Sequence, residues 1–257
     1  QLFWLADRYD RPVFAGYQRE MLGRGQPIGE PYRERTGNTG GANDWGVLDL
    51  LWYRPGEVAP ASELPLDRVF GDAGVATFRE SWAPGSQFVG VKGGDNSVNH
   101  SHLDLGSFVF DALGTRWACD LGADDYGLEG YFGEGRWQYY RLRTEGHNTL
   151  LIDPDGSPNQ SPRATASIVD HGSGPDTAYA VVDLSAAYPE QARSVRRGIA
   201  LVDDRSALLV RDEVRTTEPV DLWWFMHTEA SIRTGEGGAT LSREGEELRV
   251  EVLDPDG

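Results

Sequence analysis

The chain has 257 residues, of which 24 are basic and 41 are acidic, and its net charge is −17 at pH 7. This balance argues against a general binder of nucleic acid or of an anionic membrane, because affinity for those partners comes mainly from basic patches. The sequence holds no apolar run of about 18 residues or more, so it predicts no transmembrane helix. Cys119 is the only cysteine, which excludes an internal disulfide.

The first part of the chain is predicted to be helical. Apolar residues recur at spacings of three and four over residues 1–22, which is typical of a helix, and Pro12 is expected to kink or split it. A loop rich in Gly, Pro and Arg follows at 23–41. Asn43 can then cap a short second helix, which a Pro-Gly pair at 55–56 ends. These helices are too few to fold alone, so we interpret them as the end of a helical domain.

The remainder is predicted to be a β domain. Residues 57–68, with two prolines, are typical of a linker, and from Val69 onward the apolar period changes to two. Many strands joined by short turns, such as the turn predicted at 203–206, indicate antiparallel sheets stacked as a sandwich. The predicted strands are 75–79, 88–91, 107–110, 149–152, 178–184, 199–202, 207–211, 221–226 and 248–253.

The segment 99–104, Asn-His-Ser-His-Leu-Asp, holds two of the five histidines. Its alternation predicts a strand, on which His100 and His102 would point to the same face. Asp120 and His147 follow at strand-like positions. Two neutral imidazole nitrogens and one carboxylate form a set that zinc and similar metals favour in sites with one open position. The pattern therefore predicts a divalent metal, zinc first, held by His102, Asp120 and His147.

With these segments in hand, the chain resembles the β-sandwich region of the heparinase II/III-like polysaccharide lyases, to which oligo-alginate lyases are related. The resemblance covers roughly residues 69–170. After residue 170, the chain resembles the family only in the alternation of predicted strands and turns. The segments that carry the resemblance are NHSHLDLGSF at 99–108, WACDLG at 117–122, YGLEGYF at 126–132, RWQYYR at 136–141 and GHNTL at 146–150.

The resemblance implies a mainly β fold, an antiparallel β super-sandwich preceded by the last helices of an (α/α) toroid. Residues 1–56 would be those helices, 57–68 the linker, and 69–257 the sandwich, truncated at its C-terminus. The family's active site lies between the two domains, so the missing toroid would be a partner within the same protein. A periplasmic or secreted location is favoured over a cytoplasmic one.

The family's site residues match positions in this chain. The resemblance implies that His102, Asp120 and His147 hold the metal, and that His100 and Tyr131 take part in catalysis. The implied reaction is β-elimination at a uronic acid, in an anionic polysaccharide or oligosaccharide whose identity the sequence does not name. The candidates for contact with the substrate are Arg136, Arg141, Arg143 and His227.

Two other functions compete with the lyase. A cupin-like metal enzyme also places two histidines on one strand and a later histidine on another, but it usually adds a Glu a few residues after the pair. Here Asp104 is too close and the next acidic residue is Asp111. A non-catalytic carbohydrate-binding or scaffold module would use the metal only to stabilise the sandwich.

Overall fold

The computed structural model describes residues 2–23, 51–53, 58–133 and 135–253. The chain divides into two compact units, Gln1–Pro65 and Leu66–Gly257. The boundary between them falls inside the segment 57–68 that the sequence predicts as a linker.

The first unit contains two short helices, α1 (Leu2–Arg8) and α2 (Pro12–Gly23). The single helix expected over 1–22 is therefore split, because Asp10 adopts a left-handed conformation with φ of 51° and proline is favoured as a first helical residue. Leu51 and Trp52 are helical, whereas the rest of the predicted second helix and the loop at 24–41 lie outside the described residues. No described helix has the length and apolar character needed to cross a membrane.

The second unit is built from antiparallel strands, which confirms the mainly β fold. The first sheet has the order β1-β2-β3-β5-β6 and the second has the order β11-β10-β9-β8-β4, while β7 pairs with β12 and the last three strands form a separate meander. The strands are β1 (Arg68–Phe70), β2 (Val75–Arg79), β3 (Phe88–Lys92), β4 (Gly94–Asp95), β5 (Phe108–Ala112), β6 (Thr115–Ala118), β7 (Leu150–Ile152), β8 (Thr165–Ser173), β9 (Ala178–Asp183), β10 (Ser194–Val202), β11 (Ala207–Arg215), β12 (Leu222–Trp224), β13 (Ser231–Gly235), β14 (Gly238–Arg243) and β15 (Glu246–Glu251).

One hydrophobic core lies between the two five-stranded sheets. Alternate residues of β2, β3 and β5 and alternate residues of β9 and β10 are buried in the same cluster, as the period of two predicts. Each of the nine strands predicted for the β domain, from 75–79 to 248–253, overlaps an observed one, whereas the further strand predicted at 99–104 does not form. The strands β1, β4, β6, β8, β13 and β14 are additional, and His171, which the sequence suggests is a loop residue, lies on β8.

One inward-facing position of the sandwich holds a charge. Arg197 on β10 is completely buried, in a series that otherwise contains apolar side chains. Its guanidinium forms a bidentate ion pair with Asp212, at 2.7 and 2.9 Å, and also donates to the carbonyls of Gly106 and Asn148. Arg197 thus connects the second sheet to the segments that carry the candidate site.

A second buried arginine closes the turn between β10 and β11, where the sequence predicts a turn. Arg205 has a φ of 63° and is 4% exposed. It pairs with both carboxylate oxygens of Asp67, at 2.8 and 2.7 Å, and donates to the carbonyls of Gly174, Pro175 and Arg79. This side chain therefore joins the start of β1 to the far end of the second sheet.

The ion pair between Asp67 and Arg205 predicts a pH-dependent stability. Burial raises the pKa of Asp67, but hydrogen bonds from Arg205 and Ser173 outweigh it and lower the pKa below 3.8. Because the pKa is lower in the folded state, the stabilisation is present above about pH 4 and is lost as the pH falls through the folded-state value. We expect Asp67→Asn to lower the free energy of unfolding by about 1–3 kcal/mol at pH 7, and by less at pH 3.

Urea denaturation of both proteins between pH 3 and pH 7 measures this difference. Glu213→Gln is the matched control, since Glu213 pairs with Arg211 on the surface and half of its side chain is exposed. A constant difference between wild type and Asp67→Asn across this range would contradict the prediction.

Candidate functional site

The paired histidines lie on a loop, which corrects the expectation of a strand. Residues 96–107 form turns and bends between β4 and β5. His100 has a φ of 63°, a left-handed conformation that no strand residue adopts. His100 and His102 therefore do not share one face: His100 packs against aromatic side chains, whereas the ring centroid of His102 lies 5.3 Å from that of His147.

His147 lies at the centre of the second group. It is completely buried, and its Nδ1 lies 3.0 Å from Oδ2 of Asp120. Oδ1 of Asp120 accepts a hydrogen bond from the backbone N–H of Gly122, which fixes the carboxylate. Gly146 permits this arrangement, because a Cβ there would overlap the backbone carbonyl of Tyr140. The structure thus brings His102, Asp120 and His147 together from three separate segments.

The electrostatics of this group suit a cation. Burial and the neighbouring His147 lower the pKa of His102 to about 4, so its imidazole is neutral at pH 7. Burial raises the pKa of Asp120, but the hydrogen bond and the charge of His147 outweigh it and bring the pKa to about 2, so the carboxylate is ionised. A neutral imidazole and an ionised carboxylate, as in His102 and Asp120, are the states in which these side chains ligate zinc.

The second ring nitrogen of His147, Nε2, tests whether these side chains could hold a metal ion. With Nδ1 bonded to Asp120, Nε2 is buried and has no hydrogen-bond partner in the structure. A buried polar atom without a partner is costly, and a metal ion is one way to satisfy it. Over the described residues, no group of three or more His, Cys, Asp or Glu side chains is arranged to hold a metal. The orphaned Nε2 of His147 and the adjacent ring of His102 suit a metal, Asp120 orients His147, and the three-ligand set stays a prediction.

Asp104 and Lys92 form an ion pair beside the histidine loop. Lys92 is the only lysine in the chain. Its Nζ lies 2.6 and 2.7 Å from the two carboxylate oxygens of Asp104, whose side chain is 13% exposed. The pair anchors the C-terminal end of the histidine loop to β3.

His100 and Tyr131 lie in an aromatic cluster. The ring of His100 stacks on Tyr126 at 5.6 Å and meets Phe132 edge-on at 5.4 Å. The ring of Tyr131 packs against both of these aromatic residues. Tyr131 itself is buried, and its hydroxyl accepts a weak hydrogen bond from the backbone N–H of Asp124 at 3.3 Å. His100 is therefore exposed on the cluster, whereas Tyr131 lies within it.

The three predicted substrate-contact arginines each hold backbone carbonyls of their own chain. The partners of Arg136 are the carbonyls of Tyr131 and Ser101, and its guanidinium also lies over the ring of Tyr131. In this structure the three arginines hold loops in place through these hydrogen bonds. Their direct contact with a substrate carboxylate stays a prediction. The partners of the other two are Leu121, Ala123 and Asp124 for Arg141, and Gly156, Ser157 and Glu145 for Arg143.

His227 connects the last part of the chain to this region. Its backbone N–H donates to Oδ1 of Asn148 at 2.6 Å, and its backbone carbonyl accepts from the N–H of Cys119 at 2.9 Å. Its ring lies between Asn148 and Tyr140. The sequence reasoning assigned no role to Asn148 or Tyr140, and the only available signal was their place in the segments RWQYYR and GHNTL.

Comparison with known proteins identifies relatives of the second unit. A family described as heparinase II/III-like, C-terminal matches residues 63–256. Among curated protein sequences none matches the chain.

Several solved structures share the fold. The heparan sulfate lyase HepC from Pedobacter heparinus matches with a TM-score of 0.66 and 18% identity, over 96% of this chain and 35% of that one. A heparinase III gene product matches with a TM-score of 0.65 and 20% identity, over 93% of this chain and 35% of that one. Another heparinase III matches with a TM-score of 0.59 and 20% identity, over 72% of this chain and 29% of that one. The chain thus spans about a third of the length of these structures.

Proposed function

The chain belongs to the heparinase II/III-like family, and we propose that it is the β-sandwich part of a polysaccharide lyase that cleaves uronic-acid-containing polysaccharide by β-elimination. The observation that carries this proposal is the match of the family's C-terminal region to residues 63–256. The loop position of the histidine pair also counts against a cupin-like enzyme, which needs both histidines on one strand. The rest of the proposed enzyme, including the toroid, would come from the parent protein.

The proposed reaction removes a weakly acidic proton from C5 of the uronate and expels O4. It requires neutralisation of the substrate carboxylate, a base for the proton and an acid for the departing oxygen. His100 is suited to proton transfer, because its ring is exposed and stacks on Tyr126. Tyr131 is part of the proposal through the family resemblance, and its buried ring supports His100 through the shared aromatic cluster.

The substrate is proposed to be an anionic uronate polysaccharide or oligosaccharide. The net charge of −17 opposes its approach at long range, so attraction must act locally. Arg136 is the best placed of the predicted arginines, because its guanidinium lies against the aromatic cluster that carries His100. We include Arg141, Arg143 and His227 as further substrate contacts. A periplasmic or secreted location is part of the proposal.

A divalent metal, most favourably Zn²⁺, is proposed to bind at His102 and His147, with Asp120 as a third ligand or as the group that orients His147. The support is the buried, unpartnered Nε2 of His147 and the neutral state of His102. Bound there, the metal would cross-link the histidine loop to the segment before β7. The proposed role of the metal is thus structural, since it would fix the positions of these two segments.

Lyase activity is tested by the 4,5-unsaturated uronate product, which absorbs in the near ultraviolet. We expect the full-length parent to form this product from at least one of heparan sulfate, hyaluronan and alginate. Replacing His100 with alanine should lower kcat/KM by about 100- to 10,000-fold, the usual range for a proton-transfer group. Since His100 is exposed, the free energy of unfolding should change by about 0.5 kcal/mol or less.

His171→Ala is the matched control, because His171 is an exposed histidine on the second sheet. It should retain wild-type kcat/KM. Failure of the parent to form an unsaturated product from any uronate polysaccharide would reject the lyase proposal and favour a binding or scaffold module. This chain should be assayed beside the parent.

A further inference from the structure

A hydrogen-bonded chain of three side chains links the surface of the second unit to its core. The hydroxyl of Tyr140 lies 3.1 Å from Nε2 of His227, and Nδ1 of His227 lies 3.2 Å from Oδ1 of Asn148. Tyr140 is 52% exposed, whereas Asn148 is completely buried. The phenol of Tyr140 is therefore exposed to solvent, and the imidazole of His227 that bonds to it is held on its buried side by Asn148.

The hydrogen-bond network fixes the direction of every donor. The amide NH₂ of Asn148 donates to the carbonyls of Phe108, at 2.7 Å, and Cys119, at 3.1 Å. Its Oδ1 must then be an acceptor, and it already accepts the backbone N–H of His227. This acceptor places the proton of the neutral imidazole on Nδ1 and leaves a lone pair on Nε2 for the hydroxyl of Tyr140, while the backbone of Glu145 is a further hydrogen-bond partner of the ring.

This arrangement has the parts of an activated nucleophile or proton-transfer group, in which a hydroxyl is bonded to a base and a third group orients the base. The backbone of His227 is held at both its N–H and its carbonyl, so the ring has little freedom to turn away. Burial raises the pKa of Tyr140 and lowers the pKa of His227, so at neutral pH the pair is a phenol facing a neutral imidazole. Tyr131 differs, because its hydroxyl accepts from a backbone N–H.

We propose that Tyr140 is a proton-transfer residue of the lyase reaction, with His227 as its base and Asn148 as the positioning residue that sets the tautomer of His227. This inference rests on the proposed lyase function. Oη of Tyr140 takes the C5 proton as its own proton passes to Nε2 of His227. The C5 electron pair forms the C4=C5 double bond and the C4–O4 bond breaks. The imidazolium then returns its proton to the departing oxygen through water and His100, the proton-transfer group proposed above, which leaves the protein unchanged.

The first test needs no activity. In the intact chain, nitrogen-15 NMR of the imidazole of His227 should show a protonated Nδ1 and an unprotonated, hydrogen-bonded Nε2 at pH 7. Tyr140→Phe should shift the Nε2 resonance and leave Nδ1 protonated. A proton on Nε2 in the wild-type protein would overturn the proposal, because His227 would then have no lone pair for the phenol.

The second test is kinetic and uses the full-length parent. Tyr140→Phe removes only the hydroxyl and should lower kcat by about 100- to 10,000-fold, with little change in KM. His227→Gln should cause a similar loss, and the double variant should be no slower than the slower single variant, because the two residues act as one unit. Tyr179→Phe is the matched control, since it removes a hydroxyl on β9 whose hydrogen-bond partner among the described residues is Asp170.

The outcomes separate the two hypotheses. An active parent whose Tyr140→Phe variant keeps wild-type kcat would overturn the inference and leave the lyase function standing. Multiplicative losses in the double variant would likewise overturn a paired role. An inactive parent with the predicted tautomer would reject the lyase function and, with it, the catalytic role of Tyr140.

Discussion

Replacing Arg197 with methionine is expected to lower the free energy of unfolding by about 3–5 kcal/mol, the usual cost of removing one partner of a buried ion pair. The side chain of Asp212 is only 12% exposed and would lose its bidentate partner. The carbonyls of Gly106 and Asn148 would each lose a donor as well. Urea denaturation at pH 7 measures the loss. Because Asn148 lies beside His147, the variant should also disturb the candidate site.

Arg196→Met is the matched control for this prediction. Arg196 is the preceding residue on the same strand, points to the opposite face and is 58% exposed, with Asp183 at 3.8 Å. Its replacement should change the free energy of unfolding by about 1 kcal/mol or less. The variant Arg197→Met with Asp212→Leu should recover part of the loss, since no unpaired charge then stays buried. A loss below about 1 kcal/mol in Arg197→Met alone would refute the assigned role.

Zinc is expected to stabilise the chain by about 2.7 kcal/mol when free zinc is 100 times its dissociation constant, provided that it binds only the folded state. His147→Gln should abolish this effect, since it removes the buried nitrogen that no group within the described part of the chain satisfies. Calorimetric titration of the metal-free chain gives the affinity and the stoichiometry, which should be one ion per chain. Thermal unfolding with and without zinc gives the stabilisation.

The effect of Asp120→Asn on zinc affinity separates the two roles of Asp120. As a group that orients His147 through Nδ1, Asp120 should contribute about 10- to 100-fold in affinity. As a direct ligand, its loss should remove measurable binding. His171→Gln is the control and should bind zinc as the wild type does. Unchanged zinc affinity in both the His147→Gln and the His102→Gln variants would show that the metal binds elsewhere or does not bind.

The strands of the sandwich were predictable where one face is buried. The alternation at 75–79 gives the bounds of β2, because Ala76 and Phe78 enter the core. The strand β13 was missed because every residue in it is exposed, and without burial a strand has no apolar period. The period of two therefore reports contact with the core, whereas β12, whose three residues are all exposed, was predicted from its apolar run.

The convergence of the candidate residues was predictable but the shape of the loop was not, and their role as metal ligands stays a prediction. His102, Asp120 and His147 do converge, but the loop that carries His102 was mistaken for a strand. Its conformation depends on distant partners that no local pattern contains, such as the hydrogen bond from Arg136 to the carbonyl of Ser101. Arg197 was likewise not predictable, because it lies outside the predicted strand 199–202 and its partners lie on other segments.

Several buried and half-buried arginines of this domain donate hydrogen bonds largely to backbone atoms, which a side-chain substitution does not remove. The groups that Arg136, Arg197 and Arg205 hold are in large part main-chain oxygens, which every amino acid supplies. Side chains along those loops are consequently free to diverge while the scaffold beneath them keeps its form. Such a frame therefore tolerates substitution of the loop side chains. It also explains why lysine, a single point charge without the planar fork, is a poor substitute at these places.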